Sequence, residues 1–273
     1  LTAPEEFDDR FYVADIDRFS DTFRKMTEDI FANHNNLESI SDTPNLLEYI
    51  GDWQPRWGEK AKIDAVVKGC SDYYTVLKYS TGKIVISPQE FSEAQQCVQT
   101  LKTHPFTYQI FECNEDEEIF YQLKFKTEIL GVNCRCMFDI IKVNHKNKTV
   151  EPLDLKTSGH PEEDFEKSFI SWNYWCQSGL YSDMLRKIMM SDKTFVGYDL
   201  LPFKFVVINK NNLTPLIWSV GDYGVLQSEI KEKLGVTYLS LLRDANWHLQ
   251  NGRFDYSRKS YENNGCNPII LKL

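Results

Sequence analysis

At 273 residues, with 42% hydrophobic, 26% charged and 14% aromatic side chains, the chain has the composition of a folded globular protein rather than a disordered or fibrous one. Lys and Arg total 31 against 40 Asp and Glu, a formal charge of −9. This excludes a protein that holds nucleic acid by bulk positive charge, but leaves room for a local basic groove or bound metal ions. No apolar run reaches the length of a membrane span, and the first 20 residues lack the basic start and apolar centre of a signal peptide. Seven cysteines form no C-x-x-C pair, so reduced thiols, a cytoplasmic location and no membrane contact are the expectation.

In chain order, the acidic opening EEFDD leads to residues 17–34, whose apolar positions recur at helical spacing. Between residues 40 and 80, Pro44, Gly51, Pro55, Gly58 and Gly69 predict turns and short helices. Ser87 is placed to cap a helix beginning at Pro88, with Glu90 completing a capping box and His104-Pro105 ending the helix. From residue 118 the period changes to two, and Ile119, Tyr121, Leu123 and Phe125 mark a half-buried strand. Gly131 and Asn133 turn the chain into NCRCMFDIIKV, and NHKNK turns it again into TVEPLDLKT, which predicts three adjacent antiparallel strands. Residues 165–190 then read as one long aromatic helix, in which Trp172 and Trp175 are expected to pack on the sheet. FKFVVINK and TPLIWSV read as two further strands, residues 224–250 as helical, and the rest as a polar periphery. The order predicts an α/β (α+β) fold with a central mixed sheet flanked by helices. It is read as a single domain over 1–273, with a mainly helical part over 1–108 and a core over 109–250.

The chemistry concentrates on the second and third strands. Asp154 and Lys156 are two apart on a strand and share a face, and a hairpin at NHKNK brings Asp139 beside them. Two carboxylates on adjoining strands suit a hard cation such as Mg²⁺, which takes oxygen ligands and keeps several waters. Such an ion polarises a phosphoryl oxygen and acidifies water, and Lys156 is placed to stabilise developing negative charge. Glu118, opening the first strand, is a further candidate ligand among the acidic residues of ECNEDEE. Gln177 and Tyr181 are four apart and share a helix face from which a phosphate or a neighbouring group is within reach. Lys124, Lys126, Arg135, Lys167, Arg186 and Lys187 are the candidates for a DNA groove, and alternation puts Arg135 on the same strand face as Asp139. The five histidines lack metalloprotease spacing, Cys134-x-Cys136 lacks a second pair for zinc, and no phosphate-binding G-x-x-x-x-G-K-[ST] loop exists.

Together, Phe138-Asp139, the run EPLDLKTSG from Glu151 to Gly159 and QSGLY from Gln177 to Tyr181 resemble the PD-(D/E)xK nuclease superfamily. Within it the resemblance is to the RecB-like group and especially the phage-type RecE-like exonucleases. EEFDDRFYV, SPQEF, KTHPF and KFVVINKNNLTPLIWSV extend the likeness over nearly the whole chain. Phe138 stands where that family usually has a Pro. The resemblance implies a restriction-endonuclease-like core and a Mg²⁺-dependent deoxyribonuclease, with Mn²⁺ as a substitute. Asp139, Asp154, the backbone carbonyl of Leu155 and Glu118 would hold the metal, Lys156 would serve catalysis, and Gln177, Tyr181 and Arg135 would contact DNA. It further implies 5′ to 3′ digestion of linear duplex ends in phage-type recombination in a bacterial cytoplasm. The implied partners are DNA, a single-strand annealing protein and further copies of the chain in a ring. The competing readings are an endonuclease of the same fold and an inactive DNA-binding or assembly module.

Overall fold

The computed structural model describes residues 4–14, 20–80, 82–221 and 223–266, and the chain divides into two units, Leu1–Val98 and Gln99–Leu273. The first holds α1 (Pro4–Arg10), β1 (Phe11–Val13), α2 (Asp21–Asn33), α3 (Leu46–Ile50), α4 (Glu59–Ser80), β2 (Ile84–Ile86) and the start of α5 (Pro88–Thr103). Helix α2 is the helix expected near the N-terminus, capped by Ser20; residues 17–19 of that reading lie outside the described residues. The capping box of α5 is present: the Ser87 amide donates to Glu90 Oε2 at 2.8 Å and the Glu90 amide to Ser87 Oγ at 3.1 Å, worth about 1 kcal/mol.

The turns and short helices expected between 40 and 80 are present up to Gly58, but the 22-residue α4 replaces them over Glu59–Ser80. Gly69 lies inside it, where a Cβ would stand 2.6 Å from the Phe23 ring. The glycine marks a close approach of α2 to α4 and not a turn. Met26, Ile30, Ile50, Val66, Cys70 and Tyr74 close this small helical core.

Beyond α6 (Tyr108–Phe111), the second unit is built on a six-stranded sheet with order β3 (Glu117–Ile129), β4 (Val132–Asn144), β5 (Thr149–Ser158), β7 (Lys204–Asn209), β8 (Pro215–Ser219), and with β6 (Asp199–Leu200) beside the start of β5. Neighbours β3/β4, β4/β5 and β7/β8 are antiparallel, whereas β5 is parallel to β6 and β7. Parallel pairing needs a crossover. Here α7 (Phe165–Ser171) and α8 (Tyr174–Ser191) supply it and cover one face of the sheet through Phe138, Val143, Phe165, Met184, Leu185 and Phe205. Pro152 falls between the β5 residues that pair with β6 and those that pair with β7, an interval with no ladder on that edge to interrupt. The sheet, mixed and flanked by helices, is the fold expected.

Three local expectations change. The single helix over 165–190 is broken at Trp172 and at Asn173, which takes φ +55°. Trp175 is buried among Ile230 and Tyr238 of α9 (Tyr223–Leu234) and α10 (Tyr238–Asn251) instead of on the sheet, and Trp172 at the break is 71% exposed. The polar tail carries α11 (Arg258–Glu262), whose Arg258 pairs with Asp244 of α10.

Candidate active site

The site follows from a parting of strands. The β4/β5 ladder runs from Asn144↔Thr149 to Ile140↔Leu153 and stops, one residue short of Asp139 and Asp154. Beyond Leu153, β5 pairs with β7 alone, as Asp154↔Phe205 through Ser158↔Asn209. The Asp139 carboxylate bridges the fork: its Oδ2 accepts the Leu155 amide at 2.9 Å and its Oδ1 accepts Gln122 Nε2 at 2.9 Å. Gln122 sits on β3 at φ +51°, where the β3/β4 ladder skips a pair between Tyr121↔Ile140 and Leu123↔Phe138. Alternation on β4 shifts at the same place, because Phe138 and Ile141 both join the core under α8.

Asp154 is 4% exposed. Its Oδ1 accepts Gln177 Nε2 from α8 at 2.6 Å, while its buried Oδ2 makes no directional hydrogen bond and is balanced by the ion pair with Lys156 Nζ. Burial pushes the Asp154 carboxyl above its ordinary pKa; Lys156 and Gln177 oppose this and the Asp139 charge adds to it. Lys156 Nζ lies 4.7 Å from the Tyr174 ring centroid and 5.8 Å from that of Phe205, so aromatic faces fix the ammonium without neutralising it.

The arrangement brings Asp139, Asp154, Lys156 and Gln177 together and leaves other expected members out. Glu118 pairs with Val143, four residues and so about 13 Å of strand away from Gln122. Its carboxylate is half exposed and lies 3.6 Å from His145 Nε2. Proximity in sequence to the strand start placed it at the closed end of the ladder, not at the fork. Arg135, opposite Lys126, is likewise four residues from Asp139, about 13 Å up β4, and exposed. Gln177 holds Asp154, its amide nitrogen being engaged by that carboxylate. Tyr181 packs on Phe138 and Phe203 with ring centroids 5.2 and 6.4 Å away, and burial pushes its hydroxyl pKa up. Gln122 was not singled out from the sequence, since a polar residue on the polar side of an alternating strand carries no signal of a left-handed backbone.

The donor set suits a hard cation. Asp139 and Asp154 supply carboxylate oxygens, and the carbonyl of Leu155 projects toward the same edge of the strand as the amide it gives to Asp139. Among the described residues no cluster of three or more His, Cys, Asp or Glu is arranged to hold a metal. Two carboxylates fit an ion that retains several waters, as Mg²⁺ does. A cation there would share the buried Asp154 Oδ2 with Lys156 Nζ. The thiols are poor competitors: burial pushes Cys136 up to about 11 and raises Cys176 as well.

No helix among the described residues is long and apolar enough to cross a membrane. No curated protein matches the chain closely enough to serve as a relative. Residues 21–229 match the family described as PDDEXK-like domain of unknown function (DUF3799), a stretch that contains the fork, its lysine and the helix over it. With the strand order, the parted ladder and that match over most of its length, the chain belongs to this PDDEXK-like family and carries a nuclease-type fold.

Proposed function

We infer that the protein is a divalent-metal-dependent deoxyribonuclease. The finer reading is an exonuclease that degrades one strand of linear duplex from its 5′ end, in the manner of RecE-like enzymes, in a ring of copies and alongside a single-strand annealing protein. The observation that carries the hydrolytic reading is the fork, where Asp139 and Asp154 converge beside an ammonium packed on aromatic rings.

Asp139, Asp154 and the Leu155 carbonyl would hold Mg²⁺ or Mn²⁺. When bound, the ion supplies a Lewis acid for the phosphoryl oxygen and lowers the pKa of water. Lys156 stands next to Asp154 and offers a positive charge to the negative charge that develops on the phosphorus oxygens. Gln177 and Gln122 each donate to one carboxylate, which fixes the orientation in which Asp154 and Asp139 present their oxygens. Tyr174 and Phe205 restrict the lysine to one region.

The test is to incubate the full chain with Mg²⁺ and two substrates, end-labelled linear duplex and covalently closed circular DNA. Loss of the linear species from 5′ ends, an intact circle and no reaction in EDTA are expected. Nicking of the circle would make it an endonuclease, and inertness on both would favour an assembly role.

A further inference from the structure

The six basic residues that are candidates for a DNA groove divide into two sets. Lys167 is paired with Asp164, Arg186 with Asp183, and Lys187 donates to the Glu128 carbonyl. Lys124, Lys126 and Arg135 form no ion pair among the described residues, and all three are exposed. The register places them together. Gln122 faces the Asp139 position, Lys124 pairs with Met137, Lys126 with Arg135 and Glu128 with Asn133. The neighbours of opposite parity, Leu123, Phe125, Ile129, Cys134, Cys136 and Phe138, turn into the core. One solvent face of the β3/β4 hairpin therefore carries three positive charges in line with the Asp139 carboxylate, and it ends at Glu128.

Lys126 directly opposite Arg135 is a like-charge cross-strand pair, an arrangement that destabilises a sheet. It stands in a chain with nine more acidic than basic residues, where carboxylates to neutralise it are plentiful. A bound polyanion would relieve it. Same-face positions on a strand recur about every 6.8 Å, close to the separation of successive phosphates along a nucleic acid strand. By that rise Lys124 stands about 7 Å, and the Lys126/Arg135 pair about 13 Å, from the Gln122 position.

We propose that this hairpin face is a phosphate track: Lys124, then Lys126 with Arg135, bind the successive phosphates of the strand whose scissile phosphate lies at Asp139 and Asp154. The track rests on the nuclease reading for its direction, toward the fork, and on the register and charge for its existence. It accounts for how a chain of net charge −9 engages a polyanion, through a short local stripe.

The experiment compares the full wild-type chain with the triple variant Lys124→Gln, Lys126→Gln, Arg135→Gln. Binding of a fluorescent oligonucleotide is measured in EDTA across a salt series, and hydrolysis of bis(p-nitrophenyl) phosphate is measured with Mg²⁺. Expected are a 10- to 100-fold loss of oligonucleotide affinity and a salt dependence shallower by about 2 in the log–log slope. Hydrolysis of the small diester, which has no neighbouring phosphate, stays unchanged. The single variant Lys126→Glu melts at a higher temperature than wild type, because it replaces a repulsive pair by an attractive one. Unchanged affinity and slope in the triple variant overturn the track even if both substrates are cut, which leaves the nuclease reading standing. Lost affinity in the triple variant, beside a wild type that cuts neither substrate, supports the track and removes the nuclease reading. Equal binding of poly-glutamate, lost to the same degree in the variant, overturns the assignment to nucleic acid.

Discussion

The two ends of the β3–β4–β5 ladder treat carboxylates in opposite ways. At the closed end, Glu117 is held by Lys142 at 3.1 Å, by the side chain and amide of Asn114 at 2.8 and 3.3 Å, and by Asn144 at 3.2 Å. Burial would raise its pKa, but these partners outweigh burial and hold it below the ordinary value. Glu151, nearby on β5, is paired with Lys204. At the open end, Asp154 is more deeply buried, faces a second carboxylate and has its pKa raised. A structural acid is surrounded by donors until its charge is satisfied. At the fork Asp154 has only Gln177 and Lys156 to set against its burial and the neighbouring Asp139, and β5 has passed to a different partner strand.

The contrast can be broken most forcefully at the fork. Asp154→Asn should lower phosphodiester hydrolysis by about 10³-fold or more, since it removes a cation ligand. The same change should abolish the thermal stabilisation by Mg²⁺, which at about 100 times the Kd amounts to about 2.7 kcal/mol in wild type. A cation-dependent melting shift that survives Asp154→Asn and Asp139→Asn would place the metal elsewhere. Lys156→Ala should cut hydrolysis by about 10²-fold or more while the Mg²⁺-induced shift persists, because the ammonium acts on charge in the transition state. Full activity in this variant excludes that role.

Smaller effects sharpen the comparison. Gln177→Ala frees Asp154 Oδ1, and a loss of about 10- to 100-fold in metal affinity or activity is expected. Glu118→Gln, at the closed end, should leave hydrolysis within about threefold of wild type; a loss as large as that of Asp154→Asn would restore it as a ligand. Glu117→Gln should cost about 1 kcal/mol of stability at neutral pH, read from chemical denaturation. Because the folded-state pKa of Glu117 is depressed, its contribution is present above the ordinary carboxylate range and is lost as the pH falls through the lowered value. The two proteins should therefore converge in stability under acid conditions.

Much of the fold was legible because its signals are local. Alternation over Ile119–Phe125, turn residues at Gly131 and NHKNK, and the Ser87/Glu90 cap each act within a few residues, and each is where it was expected. Gly69 misled because a glycine serves both a turn and a close helix contact, and only Phe23, distant in sequence, distinguishes them. The break at Asn173 escaped notice because aromatic residues run through it without a Gly or Pro. In the site, the spacing of Asp154 and Lys156 and the hairpin to Asp139 were readable from strand geometry. The offset of Glu118 depends on how far β3 extends past the fork, and the contact of Gln122 on a left-handed backbone; neither is written in residue type.

Local pattern therefore assigned the three antiparallel strands, the helix over them and the aspartates and lysine that share one space. The tertiary structure decided which carboxylates come together at the fork. That choice turns on β5 exchanging β4 for β7 after Leu153, and β7 reaches β5 only by way of α7, α8 and the short β6. A pairing switch set by a strand some fifty residues downstream leaves no mark in any short window of sequence. It is nevertheless what parts the ladder at Asp139 and Asp154.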